Sequence, residues 1–79
     1  MRILILGNNY SAESFYETLS KNEDDIVFST CSNIKNNVEY DSEDDLVDFC
    51  EANDINFVLT TDENYMTVSL QEKLNFANI

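Results

Sequence analysis

The chain has 79 residues, of which 43% are hydrophobic, and sixteen acidic against four basic residues give it a formal net charge of −12. This hydrophobic content is typical of a globular chain rather than a disordered one. Because a surface with this negative charge repels phosphate backbones and anionic lipid, we expect no nucleic-acid partner and no membrane partner. The length predicts one small domain over residues 1–79, or the first part of a larger one.

The first predicted elements are a strand and a helix. Ile3–Leu6 is a continuous apolar run, which is typical of a parallel strand covered on both faces. Ser11 is the predicted cap of the helix that follows, in which Phe15, Tyr16 and Leu19 recur at helical spacing. The segment therefore begins as a β-α unit.

The middle of the chain repeats this alternation. A second strand is predicted over residues 26–32, and a short edge strand over residues 38–40. Ser42 is the predicted cap of the next helix, and Asp45 at its third position completes a weak capping box. The third strong strand covers residues 55–61, an apolar run that ends in two threonines.

Asp62 is the predicted cap of a last helix that carries Met66, Leu70 and Leu74. The complete order is then β-α-β-(β)-α-β-α. Strands that alternate with helices predict right-handed crossovers and a three-layer, Rossmann-like open parallel sheet of the α/β class. Because such a sheet normally continues with another strand, we expect the first half of a larger domain. Its exposed edge could pair with a second copy as a homodimer.

The two cysteines and the N-terminus bear on location. Cys31 and Cys50 form no CxxC pair and the chain has no histidine, so the pattern predicts no zinc site and two reduced thiols used as small apolar residues. MRILIL is too short an apolar run for a signal peptide, and no segment approaches the roughly 18 apolar residues of a membrane span. We therefore expect a soluble, cytoplasmic protein.

The loop after the first strand is the candidate binding segment. Ligands of open parallel sheets bind beyond the carboxyl ends of the strands, and the loop residues Gly7, Asn8, Asn9 and Ser11 lead there into a helix N-terminus that attracts anions. Only Gly7 is freely permissive in its backbone, so an ordinary turn and a site for one small phosphate or carboxylate both stay open. Glu63 faces the same crevice, either to complement the dipole of the last helix or to accept from a ligand hydroxyl or amine.

Catalysis and metal binding have no pattern of their own in this sequence. There is no histidine, no nucleophile–base pair and no metal cluster, so we predict no catalytic residue and no metal ligand. The acidic run of residues 41–48 straddles a predicted helix start, and its carboxylates splay around the helix as a solvated face. The chain alone is therefore not expected to be an active enzyme.

Together these segments resemble the N-terminal domain of the phosphoribosylamine–glycine ligase (glycinamide ribonucleotide synthetase) family, ATP-grasp enzymes of purine biosynthesis. That family opens with a strand and a G-x-G-G-R-E-H-A loop, matched in place by MRILILGNNYSAES, and its I-D-L-V-V-V-G-P-E-x-P-L motif is similar to INFVLTTDENYM. Gly7 and Glu63 match residues of the family's functional loops. Asn9 and Tyr10 stand where the family has glycines, and Ser11 replaces its arginine.

The resemblance implies a pre-ATP-grasp domain that contacts a small phosphorylated sugar through Gly7, Asn8, Asn9, Ser11 and Glu63. ATP and magnesium would belong to the family's ATP-grasp domains, so no cofactor is expected in this chain. Two alternatives stay open. The opening MRILILGNN is also similar to folate-dependent formyltransferases, whose Asn-His-Asp catalytic set would lie beyond residue 79. The charge of −12 alternatively favours a small acidic interaction protein that binds a basic partner.

Overall fold

The computed structural model describes all 79 residues as three strands that alternate with three helices. The elements are β1 (Arg2–Leu6), α1 (Tyr10–Leu19), β2 (Ile26–Ser29), α2 (Glu43–Ala52), β3 (Phe57–Thr60) and α3 (Val68–Phe76). The strands form one open parallel sheet in the order β2-β1-β3. The chain is therefore a mixed α/β protein, compatible with the Rossmann-like fold predicted from its sequence.

The strand order explains why helices cover both faces of the sheet. The chain moves from β1 to β2 on one side of β1 and then crosses to β3 on the other side. Right-handed connections in these opposite directions place α1 on one face and α2 on the other. The core is divided accordingly. The first cluster holds Ile3, Ile5, Ala12, Val27 and Cys31; the second holds Leu4, Leu6, Val38, Leu46, Val47, Cys50, Ile55, Leu70 and Leu74.

Strand β1 is the centre of the structure. Leu4, Ile5 and Leu6 are completely buried, because side chains that alternate along the strand enter the two clusters in turn. The prediction that this continuous apolar run is a strand covered on both faces is therefore confirmed. None of the three helices combines the length and the apolar character that a membrane crossing needs.

The sequence predicted the cap of α2 correctly and the cap of α1 wrongly. Asn9, not Ser11, is the cap of α1: its Oδ1 accepts the backbone N–H of Ala12 at 2.9 Å. Asparagine is among the strongest N-cap residues, and here it precedes the predicted cap by two positions. Ser42 caps α2 as predicted, and its Oγ accepts the N–H of Asp45 at 3.2 Å.

The predicted start of the last helix is wrong. Helix α3 begins at Val68, and its cap is Thr67, whose hydroxyl accepts the N–H of Leu70 at 3.0 Å. Asp62 instead closes a local turn, in which its Oδ1 accepts the N–H of Asn64 at 3.0 Å. Aspartate stabilises helix caps and such turns by the same kind of bond, and here the turn forms. Met66 consequently lies before the helix rather than within it.

The predicted edge strand at residues 38–40 is also wrong. Strand β2 ends at Ser29 rather than at residue 32, and only an isolated parallel bridge joins Ser29 to Asn37. The Ser29 N–H donates to Asn36 O at 3.2 Å, and the Val38 N–H donates to Ser29 O at 2.7 Å. The segment therefore covers the outer edge of β2 without becoming a strand.

Candidate functional site

The candidate site lies at the carboxyl edge of the sheet, between β1 and β3. The two connections from β1 and β2 run in opposite directions, and loops on either side of such a switch point open a crevice. The loops at this position are residues 7–11 after β1 and residues 61–64 after β3. They define the candidate crevice, and none of the three cavities in the structure lies between them. The Thr61 N–H donates to Leu6 O at 2.9 Å, which holds the start of the second loop beside the first.

Gly7 is required by the geometry of this loop. Its φ of 152° is a conformation that residues with a side chain rarely adopt. A Cβ added at this position would lie 2.1 Å from Thr61 Oγ1. The Gly7 N–H also donates to Thr30 Oγ1 at 2.9 Å, and the Thr30 hydroxyl lies 3.1 Å from Gly7 O. Gly7 is therefore enclosed by a threonine from each neighbouring strand end.

Asn9 joins the two loops of the crevice. Its Nδ2 donates to Thr61 O at 3.3 Å, and its Oδ1 accepts the Thr61 hydroxyl at 3.2 Å as well as the Ala12 N–H. Both ends of the Asn9 side chain are consequently engaged in bonds within the protein. Asn9 acts here as a structural link, and a ligand would reach its side chain only by replacing one of these bonds.

The other predicted site residues are less closely grouped. Asn8 faces β2 rather than β3, since its Oδ1 accepts the Ser32 N–H at 3.1 Å. Ser11 is exposed in the first turn of α1. Glu63 is exposed in the turn after β3, and it does not complement the dipole of α3, because that helix begins five residues later at Val68. The structure thus joins Gly7 and Asn9 through Thr61 and leaves the remaining three at the rim.

Backbone N–H groups are the main binding groups that this crevice offers. The N–H groups of residues 8–11 donate to no acceptor in the protein, and they lie at the positive end of the α1 dipole. Acidic side chains oppose this attraction: Glu13 lies in the same turn, and Asp62 and Glu63 lie in the facing loop. Hydroxyls, amides and N–H groups of this kind can orient a small anion or a hydroxylated ligand.

Thr30 and Thr61 both contact Gly7, and neither contact was predicted from the sequence. Each follows directly on a strand that flanks β1, and their hydroxyls contact Gly7 from opposite sides. The signal was available in the sequence, because a threonine stands at the carboxyl end of both flanking strands. In a parallel sheet these ends meet at one edge.

Two further groups with perturbed acidity lie away from the crevice. The Thr67 hydroxyl donates a hydrogen bond to Glu43 and is the main reason why the pKa of Glu43 is lowered. Burial raises the pKa of the Cys50 thiol to about 11, so the thiol is protonated and unreactive at neutral pH. No three acidic or thiol side chains converge closely enough to hold a metal ion.

Comparison with protein-family models, with curated proteins and with solved structures found no match to this chain. The resemblance to phosphoribosylamine–glycine ligases therefore depends on the sequence segments alone. Those segments and the geometry of the crevice are accordingly the two grounds on which a function can be inferred.

Proposed function

We propose that the chain is a Rossmann-like, pre-ATP-grasp-type N-terminal domain of the phosphoribosylamine–glycine ligase kind, and that its crevice binds a small phosphorylated sugar. The domain supplies binding and orientation, and it is not catalytic by itself. The observation that carries the proposal is the position of four free N–H groups, at residues 8–11, beside the loop of residues 61–64 at the switch point of the sheet.

In the proposed complex, the phosphate and the sugar each contact a different part of the crevice. The phosphate lies over the N-terminus of α1, where N–H groups and the helix dipole favour negative charge. The glycine at position 7 allows Thr61 to approach the loop closely. Glu63, exposed on the facing loop, accepts a hydrogen bond from a sugar hydroxyl or amine.

The affinity for such a ligand should be low. Ser11 stands where the related loop has an arginine, so no guanidinium neutralises the phosphate. The net charge of −12 repels an anionic ligand as well. We expect a dissociation constant in the millimolar range, which corresponds to roughly −4 kcal/mol.

Restoring the arginine gives a sharp test. Titration calorimetry with ribose 5-phosphate should show that Ser11→Arg tightens binding roughly tenfold, about 1.4 kcal/mol. Ser14→Arg is the matched control, because Ser14 is exposed on the same helix and the change in net charge is identical. Ribose without phosphate should bind neither variant. Equal gains in the two variants would mean that bulk charge, not this site, binds the sugar phosphate.

A second candidate function, binding of a basic protein partner, is favoured by one groove. The groove lies between α2 and α3 and has a volume of about 430 Å³. Asp48, Glu51 and Glu72 line it beside Phe76, which is 92% exposed, and its one basic residue, Lys73, is already paired with Asp44 at 3.0 Å. Binding of a lysine-rich peptide that weakens with salt and is lost in Phe76→Ser would support this function. Binding unchanged by that substitution would exclude the groove.

A further inference from the structure

The two loops of the candidate crevice are joined to each other by side chains, and no cavity separates them. Asn9 Nδ2 donates to Thr61 O at 3.3 Å, and Asn9 Oδ1 accepts the Thr61 hydroxyl at 3.2 Å. No other hydrogen bond joins residues 7–11 to residues 61–64. A ligand that enters between the two loops must therefore separate Asn9 from Thr61.

The orientation of the Asn9 amide is determined by α1. The Ala12 N–H needs an oxygen acceptor, and Asn9 Oδ1 accepts it at 2.9 Å. The amide nitrogen consequently lies on the other side of the group, toward Thr61 O. Oδ1 is thus required for the helix cap, whereas Nδ2 bonds only to the facing loop.

The bonds between the loops are weaker than those that hold each loop in place. The Thr61 hydroxyl has a single proton, and it is shared between Asn9 Oδ1 at 3.2 Å and Leu6 O at 3.3 Å. The Thr61 N–H, by contrast, donates to Leu6 O at 2.9 Å, the same length as the cap bond of Ala12. Asn9 and Thr61 can therefore separate while the cap and the end of β3 stay intact.

The facing loop beyond Thr61 is bonded to itself rather than to the loop after β1. Asp62 Oδ1 accepts the Asn64 N–H at 3.0 Å, and Asp62 O accepts the Tyr65 N–H at 3.0 Å. These bonds stay within the loop, so the turn can move as one piece. Its attachment to the first loop depends on Thr61.

We propose that the hydrogen bonds between Asn9 and Thr61 act as a latch, which closes the crevice in the free protein and opens when the ligand binds. This inference rests on the proposed function and concerns how the same site is filled. In the open state, Asn9 Nδ2 leaves Thr61 O and donates to the phosphate, while Oδ1 continues to cap α1. Asn9 then supplies a side-chain donor to a loop that has no arginine.

Weakening the latch should tighten binding. A ligand that binds only the open state has an apparent affinity reduced by the fraction of molecules that are open. Thr61→Val keeps the shape of the side chain and removes its hydroxyl, and Leu6 O retains the N–H of residue 61. Loss of a net bond of about 1 kcal/mol should raise the open fraction, and with it the affinity for ribose 5-phosphate, about fivefold.

Titration calorimetry with ribose 5-phosphate compares this variant with two controls. Thr30→Val is the matched control, because the Thr30 hydroxyl accepts the Gly7 N–H at 2.9 Å on the opposite side of the same loop and is outside the latch. It should destabilise the chain without tightening binding. Thr61→Ser keeps the hydroxyl and should bind like the unaltered chain. Weaker binding by Thr61→Val, or equal tightening in Thr30→Val, would overturn the proposal.

Backbone ¹⁵N relaxation of the ligand-free chain tests the latch by itself. The order parameters of residues 62–64 should fall in Thr61→Val and stay unchanged in Thr30→Val. Asn9→Asp decides the case even if Thr61→Val does not fold. It keeps a good cap, replaces Nδ2 by an oxygen that Thr61 O repels, and should loosen the same residues.

The two experiments separate the latch from the ligand. Order parameters that remain unchanged in both Thr61→Val and Asn9→Asp would overturn the latch. Order parameters that fall as expected, in variants that bind no ribose 5-phosphate, would support the latch and contradict the proposed ligand.

Discussion

Replacing Gly7 by alanine is the perturbation for which the structure gives the clearest magnitude. The backbone at position 7 has a φ of 152°, and a residue with a side chain pays about 1–3 kcal/mol to hold such a conformation. The new Cβ would also meet Thr61 Oγ1 at 2.1 Å, so Thr61 must move. In moving, it gives up hydroxyl bonds to Leu6 O and Asn9 Oδ1, which are 3.3 and 3.2 Å long.

These contributions add up to a large fraction of the stability of so small a chain. The two long hydrogen bonds together contribute about 1 kcal/mol, so Gly7→Ala should lower the free energy of unfolding by roughly 2–4 kcal/mol. A chain of 79 residues has a total of roughly 4–12 kcal/mol. The variant should therefore unfold at a much lower urea concentration, measured by far-ultraviolet circular dichroism.

A double-mutant cycle separates the close contact from the backbone strain. Thr61→Ala removes the hydroxyl that the new Cβ would strike, so the double variant should be about 1 kcal/mol more stable than the sum of the single changes predicts. The backbone cost at Gly7 should remain. If Gly7→Ala costs less than about 1 kcal/mol, or if the two changes are simply additive, the enclosed geometry described for this loop is wrong.

Three other predictions concern the caps and the titratable groups. Asn9→Ala should lower the free energy of unfolding by about 1 kcal/mol, because it removes the cap of α1. Ser11→Ala should leave the free energy of unfolding nearly unchanged in the same urea titration. A larger loss in Ser11→Ala than in Asn9→Ala would mean that Ser11 is the cap. Cys50, with a pKa of about 11, should resist a thiol reagent at mildly alkaline pH until the chain unfolds, and rapid labelling in the folded state would contradict its burial. The pKa of Glu43 is lowered in the folded chain, first because of the hydrogen bond from the Thr67 hydroxyl. Ionised Glu43 therefore stabilises the fold at pH values above the pKa that Glu43 has in the unfolded chain. This stabilisation is lost as the pH falls through the pKa that it has in the folded chain. Glu43→Gln should therefore flatten the acid side of the stability profile, and an unchanged profile would contradict this linkage.

The fold was predictable where burial alone determines the residue type. The run from Ile3 to Leu6 had to be apolar throughout, because α1 covers one face of the central strand and α2 and α3 cover the other. The apolar run predicted as a strand over residues 55–61 forms β3 over the shorter range Phe57–Thr60, and its side chains are half-buried or exposed. Once three strands and the helices between them were recognised, the handedness of the crossovers restricted the topology to a few arrangements.

The errors in the helix caps concern polar side chains that can form more than one local hydrogen bond. Asp62 has the chemistry of a helix cap, but its carboxylate closes a turn with Asn64, and Thr67 caps the helix instead. Ser11 was the predicted cap of α1, but Asn9 has an extended backbone and its side chain accepts the Ala12 N–H, so the helix begins at Tyr10. The sequence places Thr61 at the carboxyl end of a strand, but its contact with Gly7 depends on which strands become neighbours in the sheet.

The most direct test of the account is a nuclear magnetic resonance titration of the ¹⁵N-labelled chain with ribose 5-phosphate. If the crevice binds a phosphorylated sugar, the amide signals of residues 7–11 and of Thr61 should shift progressively, while those of α2 stay in place. Inorganic phosphate alone should shift only the signals of residues 7–11. Signals that remain unmoved at millimolar ribose 5-phosphate would contradict the proposed ligand and leave the α/β fold as it stands.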